Sequence, residues 1–372
     1  MAGRPRYTAA ELDLYFIRTG LPPHQRLTSV SSLSPTSQLT HLTHLLKHHL
    51  VRVPFENLTQ HYSWHGVVDV SPRHLFRKIV LGPQHGHGSA RGGYCMEANS
   101  LFHTVLLSLG YDVYMAGARV YDPVNQRYGG FSHCVNIVTI QGVKYMVDVG
   151  YGANGPTRPM PLRAATAATK GGEEDEETEA ATIEGTQRQQ QVPPASVRLL
   201  HEPIPQQTNQ DCRVWIYQHR VNAQADWVTM YCFVDFEFLL EDVRGMNLSP
   251  WRSPHSFFTR KILMTRFTTD REELPPAVGV GGDGGESISR SGRREGPGSP
   301  DDEAVAEGEI DGAIILFEDT LKWRRGGETK LEVKFKSDQE RVDALEKYFG
   351  IVLDEEDRDA IRGTVGEISD AW

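Results

Sequence analysis

The first hundred residues place apolar side chains at the spacing of α-helices. A capping-box pattern from Thr8 to Glu11 opens a predicted helix that ends at Gly20. Leucines then repeat every three or four residues over 37–50, which predicts a second helix. The same period over 95–109 predicts a third helix. We therefore expect the N-terminal part of the chain to be mainly helical.

The pattern changes after residue 112 to short runs of β-branched and aromatic residues, which are typical of β-strands. The predicted strands cover 113–120, 131–140, 143–149, 213–219, 227–234, 313–318 and 330–335, and a helix follows over about 339–349. Helices and strands together predict a protein that mixes α and β structure.

Two low-complexity segments interrupt this pattern. The segment at about 163–196 is rich in Ala, Thr, Glu and Gln, and the one at about 272–312 is rich in Gly, Ser, Pro, Glu and Arg. Segments of such composition bury too little apolar surface to offset the entropy lost on ordering. Both are therefore predicted to be disordered.

The composition is that of an ordinary globular protein, with 39% hydrophobic and 24% charged residues. No stretch approaches the roughly 18 apolar residues that span a membrane, and the N-terminus lacks the apolar core of a signal peptide. We therefore expect a cytoplasmic protein without a membrane partner. Much of the net charge of -10 lies in acidic runs, and no cluster of Lys and Arg indicates a nucleic-acid partner.

The densest chemical signal runs from Arg91 to Asn99, where two glycines precede Cys95 at the start of a predicted helix. A cysteine at a helix N-terminus lies at the positive end of the helix dipole, which favours the thiolate. Arg91 could add to that positive field or could pair with Glu56. On this stretch alone, a buried structural cysteine explains the pattern equally well.

A predicted hairpin brings two further chemical groups together. Only Gln141-Gly142 separates its strands, and a tight two-residue turn there places His133 opposite Gly150 and Val135 opposite Asp148. His133 and Asp148 then become diagonal neighbours on one face, within side-chain reach. The same register puts Cys134 on the other face. A slip of one residue would separate the histidine from the carboxylate.

This pairing has a chemical meaning. A carboxylate bonded to one imidazole nitrogen orients the ring and leaves the other nitrogen to take a thiol proton. Together with the helix-start cysteine upstream, the pair predicts a catalytic triad of Cys95, His133 and Asp148. Such a triad indicates acyl transfer through a cysteine nucleophile.

At this point the chain resembles the arylamine N-acetyltransferases. The resemblance rests on the order of several motifs, which are Val53-Pro54-Phe55-Glu56-Asn57-Leu58, Arg91-Gly92-Gly93-Tyr94-Cys95 with Glu97 and Asn99, Ser132-His133, Val147-Asp148-Val149-Gly150-Tyr151-Gly152 and Ser253-Pro254-His255-Ser256-Phe257-Phe258. It implies an α+β fold with a papain- and transglutaminase-like core. The expected parts are a helical bundle over 1–112, a β-barrel over 113–245 and an α/β lid over 246–372.

The resemblance also implies a reaction and its contacts. An acetyl or other short acyl group passes from acyl-CoA, through a Cys95 thioester, to the nitrogen of an arylamine, hydrazine or N-hydroxyarylamine. The implied substrate and CoA contacts are Gly129, Gly130, Phe131, Ser132, Ser253, His255 and Ser256. The resemblance implies no metal cofactor, and we expect a monomer whose partner is a small aromatic amine.

Other interpretations remain open from the sequence. A papain- or transglutaminase-like amide hydrolase has the same Cys, His, Asp order, and a non-catalytic binding protein could use the same fold. His85 and His87 could join Cys95 and Cys134 at a metal site, although their spacing to either cysteine is not that of metal ligands. The histidines of the second predicted helix, His41, His44 and His48, are expected to form a solvated polar face rather than a metal site.

Overall fold

The computed structural model describes residues 4–82, 91–163, 187–273 and 305–368. Its N-terminal part is helical, as the leucine spacing predicts. The helices are α1 (Ala9–Thr19), α2 (Pro35–Arg52), α3 (Pro72–Leu75), α4 (Cys95–Leu109), α5 (Leu240–Arg252), α6 (Phe257–Arg260), α7 (Asp338–Phe349) and α8 (Glu355–Asp359). The predicted capping box opens α1, and Gly20 ends it in the left-handed conformation at φ 66°.

The strands form two antiparallel sheets. They are β1 (Phe55–Glu56), β2 (Asp112–Asp122), β3 (Arg127–Ile140), β4 (Val143–Val147), β5 (Met160–Pro161), β6 (Gln187–Gln190), β7 (Ser196–Glu202), β8 (Val214–Arg220), β9 (Val228–Phe233), β10 (Leu263–Thr269), β11 (Ile310–Phe317), β12 (Thr320–Arg325) and β13 (Glu328–Lys334). The larger sheet has the order β5-β4-β3-β2-β9-β8-β7-β6, and the smaller one has the order β1-β10-β11-β12-β13.

The larger sheet curls into a nearly closed barrel. The chain before β5 meets the end strand β6 through side chains. Gln189 of β6 donates to the carbonyl of Pro159 at 3.2 Å, and Gln191, just after β6, donates to the carbonyl of Gly155 at 2.9 Å. The barrel interior is filled by apolar and aromatic side chains from β2, β3, β7, β8 and β9. The central barrel of the expected α+β fold is therefore confirmed.

The smaller sheet connects the two ends of the chain. Its edge strand β1 comes from the helical part and pairs with β10, with Phe55 opposite Thr265. Apolar residues of α7, including Leu345 and Phe349, pack on the same sheet against Ile314. The division of the chain into domains at residues 112 and 245 stays a prediction.

Two expectations about ordering are wrong in part. Residues 187–196 were expected to be disordered, but they contain β6 and the start of β7, because β6 pairs along its whole length with β7. Residues 310–312 likewise belong to β11 and pair with β10. The remaining predicted disorder, over 164–186 and 274–304, lies outside the described residues.

The prediction of a solvated histidine face on α2 is wrong for two of its three histidines, since only His44 is partly exposed. His41 and His48 are buried, and each is held by a hydrogen bond, to the Tyr111 hydroxyl at 3.0 Å and the Thr19 carbonyl at 3.1 Å. His49 is fully buried and bonds to the Tyr15 hydroxyl at 3.0 Å. These rings are core residues with local polar partners. A helical period identifies which residues share a face but not which face the protein buries.

Candidate active site

Cys95 is the first residue of α4, and a close approach of two backbone segments places it there. The carbonyl of Pro54 accepts from Gly93 N–H at 3.3 Å, while Glu56 N–H donates to the Gly93 carbonyl at 3.2 Å. A Cβ added to Gly92 would lie 1.8 Å from the Pro54 carbonyl oxygen, so this position requires glycine. Cys95 itself is only 3% exposed, and its Sγ lies 3.7 Å from the Ser132 carbonyl oxygen.

The hairpin has the predicted register. Ile140 pairs with Val143, and Gln141 and Gly142 form the turn with positive φ values of 48° and 78°. The register brings His133 and Asp148 together, with His133 Nε2 2.8 Å from Asp148 Oδ2. Because Nε2 is bonded to the carboxylate, Nδ1 is the ring nitrogen left for the thiol of Cys95.

The second carboxylate oxygen of Asp148, Oδ1, accepts two further hydrogen bonds. Asn99 Nδ2 donates to Asp148 Oδ1 at 2.9 Å, and Gly150 N–H donates to the same oxygen at 2.8 Å. Asn99 lies one turn after Cys95 on α4, so the nucleophile and the carboxylate are positioned by the same helix. The side chains of Cys95, His133 and Asp148 are all buried.

The charges of the buried pair are strongly coupled. Burial lowers the pKa of His133, but the Asp148 carboxylate, together with hydrogen bonds to Asp148 and Cys95, raises that pKa to about 10. Burial raises the pKa of Asp148, whereas His133 and the two donors to Oδ1 bring it below its usual value. The imidazolium–carboxylate form is therefore favoured in this site.

A second charged cluster lies behind the nucleophile loop. Lys78 Nζ is 2.6 Å from Glu97 Oε1 and 3.6 Å from Glu56 Oε1, and Arg91 Nε is 3.4 Å from the same Glu56 oxygen. Of the two alternatives for Arg91, pairing with Glu56 is thus the one that the structure shows. Burial raises the pKa of Glu97, while Lys78 and Arg91 hold the pKa of Glu56 below its usual value despite its burial.

Aromatic rings surround the histidine and the strand before it. The His133 ring lies 4.9 Å from the ring of Tyr231 and 5.3 Å from that of Tyr151. Phe131 and Phe238 meet edge to face at 5.1 Å and belong to the same hydrophobic cluster as Cys95. Phe131, which the family resemblance implies as a substrate contact, therefore packs against the cluster that contains the nucleophile.

The other residues predicted in this strand have different surroundings. Gly129 and Gly130 are exposed, and a Cβ added to Gly130 would meet nothing within 4 Å. Ser132 contributes its carbonyl oxygen to the Cys95 contact described above. Their role as substrate contacts stays a prediction.

The predicted CoA contacts lie in the connection between α5 and α6. Ser253 and Ser256 both bond locally: the Ser253 hydroxyl accepts from His255 N–H at 3.3 Å, and the Ser256 hydroxyl donates to the Pro250 carbonyl at 2.9 Å. His255 is exposed. The segment continues to Phe258, whose ring lies 5.3 Å from that of Tyr94, so it borders the nucleophile loop.

Sequence reasoning missed three residues that the structure places at or beside the site. Asn99 belongs to the predicted motif, but nothing in its local pattern indicates a bond to Asp148. Phe238 and Arg119 come from β9–α5 and β2, and Arg119 stacks 3.8 Å over the Phe131 ring. A β2–β3 pairing could have brought Arg119 to this part of β3, although a regular ladder would have set it opposite Gly130.

Within the described ranges, no three His, Cys, Asp or Glu side chains are grouped so that they could hold a metal ion. His85 and His87, the histidines of the alternative metal site, lie outside those ranges. No helix within them is long and apolar enough to cross a membrane.

Comparisons with known proteins show which family the chain is similar to. A family model described as N-acetyltransferase matches residues 38–274. The N-malonyltransferase FDB2 of Fusarium pseudograminearum (strain CS3096) is 29% identical over 380 residues, which cover 96% of this chain and 93% of that protein. The pineal gland arylamine N-acetyltransferase isozyme NAT-10 of Gallus gallus is 36% identical over 144 residues, which cover 38% of this chain and 43% of that protein.

Solved structures share the whole fold. The arylamine N-acetyltransferase from Mycobacterium abscessus superposes with a TM-score of 0.66 at 20% identity, covering 98% of this chain and 100% of that chain. The Mycobacterium marinum arylamine N-acetyltransferase in complex with CoA gives a TM-score of 0.60 at 22% identity, covering 96% of both chains. The expected α+β fold is therefore confirmed. Because the family model matches more than half of the chain, this protein is an acyltransferase that belongs to the arylamine N-acetyltransferase family.

Proposed function

We propose that this protein transfers a short acyl group from acyl-CoA, through a thioester on Cys95, to the nitrogen of an aromatic amine. The observation that carries the proposal is the contact set of the nucleophile. Cys95 begins a helix, and the adjacent His133 is bonded to Asp148 at 2.8 Å. This is the arrangement that nucleophilic catalysis by cysteine requires.

In the first half-reaction, the Cys95 thiolate attacks the thioester carbonyl of acyl-CoA. The new bond joins Sγ to the acyl carbon, and the bond between that carbon and the CoA sulfur breaks. His133, protonated beside Asp148, gives its proton to the departing CoA thiolate. The products are free CoA and the acyl-enzyme.

In the second half-reaction, the amine nitrogen attacks the acyl carbon of the thioester. A C–N bond forms, the bond to Cys95 breaks, and His133 accepts the proton that the nitrogen loses. That proton restores the imidazolium, and Cys95 leaves as the thiolate. Aromatic walls such as Phe131 and Phe238 favour a flat aromatic acceptor, because offset or edge-to-face contacts stabilise such rings.

The acyl donor is the open part of the proposal. The relative named N-malonyltransferase matches nearly the whole chain, whereas the relative named arylamine N-acetyltransferase matches 38% of it. Malonyl-CoA and acetyl-CoA are thus the first donors to test.

The test is intact-protein mass spectrometry after incubation with acetyl-, propionyl-, malonyl- or succinyl-CoA, without amine. We expect a mass gain of one acyl group that is absent from Cys95→Ser. Cys212→Ser is the matched control, because Cys212 is an exposed free thiol and reports non-specific acylation. An adduct that persists in Cys95→Ser, or no adduct from any donor, would contradict the proposal.

A second measurement separates the transferase from the hydrolase alternative. The acyl-enzyme is mixed with an arylamine or with buffer alone, and release of the acyl group is followed. A transferase gives N-acylated amine and releases the group much faster with amine than without it. His133→Ala should slow acylation by about 10²–10⁴-fold, the usual contribution of general acid–base catalysis.

A further inference from the structure

Arg119 is a cation beside the site without a carboxylate partner in the described part of the chain. Its guanidinium lies 3.8 Å over the Phe131 ring and donates to the Gly129 carbonyl at 3.2 Å. The side chain is partly exposed. A guanidinium in this state can exchange its weak contacts for a stronger anionic one.

Arg119 is linked to the nucleophile through strand β3. Arg119 on β2 pairs with Phe131 on β3, and the next residue, Ser132, supplies the carbonyl that contacts Cys95 Sγ at 3.7 Å. The Phe131 ring is held between Arg119 on one side and Phe238 on another. Arg119 therefore contacts the ring that packs against the cluster of Cys95, one residue before the strand's contact with Sγ.

Three other basic side chains in this half of the fold already have carboxylate partners. Lys78 and Arg91 pair with Glu56 behind the nucleophile loop, and Lys144 pairs with Asp235 at 2.9 Å. A negative charge on the acyl group would therefore meet Arg119 rather than these residues.

We propose that Arg119 binds the free carboxylate of a malonyl donor and so selects malonyl-CoA over acetyl-CoA. This inference rests on the proposed function, since it assumes an acyl thioester on Cys95. A malonyl group carries its carboxylate one methylene from the thioester carbonyl, where acetyl has only hydrogen. The planar guanidinium fork of arginine can bind a carboxylate through two parallel hydrogen bonds. Arg119 is thus assigned as a specificity-determining residue and not as a catalytic one.

The experiment measures kcat/KM for malonyl-CoA and for acetyl-CoA with one arylamine, and reports their ratio. In Arg119→Gln we expect the malonyl-to-acetyl ratio to fall about 30-fold, which corresponds to about 2 kcal/mol. Arg119→Lys keeps the charge but loses the fork, so it should recover part of the ratio. The matched control is Arg198→Gln. Arg198 also lies over an aromatic ring, that of Trp227 at 4.4 Å, but it belongs to β7, three strands from β2 in the barrel sheet.

The outcomes are distinguishable. If Arg119→Gln lowers kcat/KM equally for both donors, Arg119 only supports Phe131, and the inference is wrong. A wild-type enzyme that accepts acetyl-CoA but not malonyl-CoA also overturns the inference, while the proposed function stands. If no donor acylates Cys95, the proposed function fails and the inference fails with it. Equal unfolding midpoints of wild type and variant establish that the fold is intact.

Discussion

Asn99 connects the parts of the site, and its replacement gives the sharpest test of the architecture. Its Nδ2 donates to the Cys134 carbonyl at 2.8 Å and to Asp148 Oδ1 at 2.9 Å, and its Oδ1 accepts from Val149 N–H at 3.0 Å. One fully buried carboxamide on α4 therefore satisfies groups on β3 and just after β4. Asn99→Ala removes all of these bonds at once.

The magnitude follows from the groups left behind. The Cys134 carbonyl and Val149 N–H become buried polar groups without this partner, and each such loss costs about 1–3 kcal/mol. The free energy of unfolding should therefore fall by about 2–6 kcal/mol. Asp148 keeps its bonds to Gly150 and His133 but loses a donor that holds its pKa down. A bond to a charged group is worth about 1.5–3 kcal/mol, so acylation should slow by about tenfold or more.

Two assays check this prediction. Urea unfolding gives the change in stability from the midpoint at constant slope, and a stopped-flow record of CoA release gives the rate of acylation. Asn125→Ala is the control, because Asn125 is exposed and its bonds stay within the β2–β3 turn. If Asn99→Ala unfolds within about 0.5 kcal/mol of wild type and acylates at the wild-type rate, Asn99 is not the connecting group argued above.

Three further predictions concern packing and pH. Gly150→Ala should greatly slow acylation, because the new Cβ would lie 2.7 Å from the Cys95 Cα. The stability difference between wild type and Asp148→Asn should shrink as pH rises from about 6.5 to about 10. Because the pKa of His133 is raised in the folded state, its contribution to stability is complete below pH 6.5 and is lost as pH rises through 10. Wild type should lose stability as pH falls from 6.5 towards 3. Burial lowers the pKa of His49 to about 3, so in this range only the unfolded chain takes up the proton. In His49→Phe, stability should fall less steeply with decreasing pH.

Each of these has its own check. For the glycine, Gly245→Ala is the control, since a Cβ there meets nothing within 4 Å, and equal acylation rates in both variants would refute the steric argument. For Asp148→Asn, urea unfolding of the variant and of wild type is repeated at pH values from 5 to 10. A stability difference that stays constant with pH would show that Asp148 does not raise the pKa of His133. For the buried histidine, equal acid slopes in wild type and His49→Phe would contradict its lowered pKa.

The local patterns predict those parts of the site that depend on neighbours in sequence. The two-residue turn at Gln141-Gly142 sets the hairpin register, and a regular ladder carries it to Asn136 and Val147. Asp148 follows directly, within reach of His133 three residues before Asn136. The start of α4 is likewise predicted from the glycines before Cys95. In both places a short-range rule decides the geometry, so sequence reasoning reaches the triad.

The position of Arg119 could not be predicted in the same way. From the β2–β3 turn, Asp122 pairs with Arg127 and Tyr121 with Tyr128, and a regular ladder would continue to place Arg119 opposite Gly130. One register shift, between Tyr121 and Arg119, intervenes, and Arg119 pairs with Phe131 instead. β-Bulges add residues to one strand without a distinct sequence signal, so a register read from the turn fails beyond them. Asn99 and Phe238 were missed because their partners are distant in sequence.

Arg91 either pairs structurally with Glu56 or activates Cys95 by its charge, and variants of Arg91 and Glu56 distinguish the two roles. Glu56 is fully buried and Arg91 pairs with it at 3.4 Å, so removing either charge from this pair should cost about 3–5 kcal/mol of stability. Because Lys78 and Glu97 add one charge of each sign, the cluster has little net charge. The positive field at Cys95 then comes from the α4 N-terminus and not from Arg91.

A double-mutant cycle with a reactivity measurement tests this argument. Arg91→Gln and Glu56→Gln are made singly and together, and both unfolding and alkylation of Cys95 by iodoacetamide are measured. If Arg91 is a structural partner, the double variant is less destabilised than the sum of the single ones, by more than about 1 kcal/mol. The two single variants should then change the alkylation rate in the same direction. If Arg91 instead activates the thiol by its charge, Arg91→Gln slows alkylation and Glu56→Gln accelerates it, because removing the carboxylate leaves the positive field stronger. Opposite changes would therefore refute the pairing argument and assign Arg91 to the activation of Cys95.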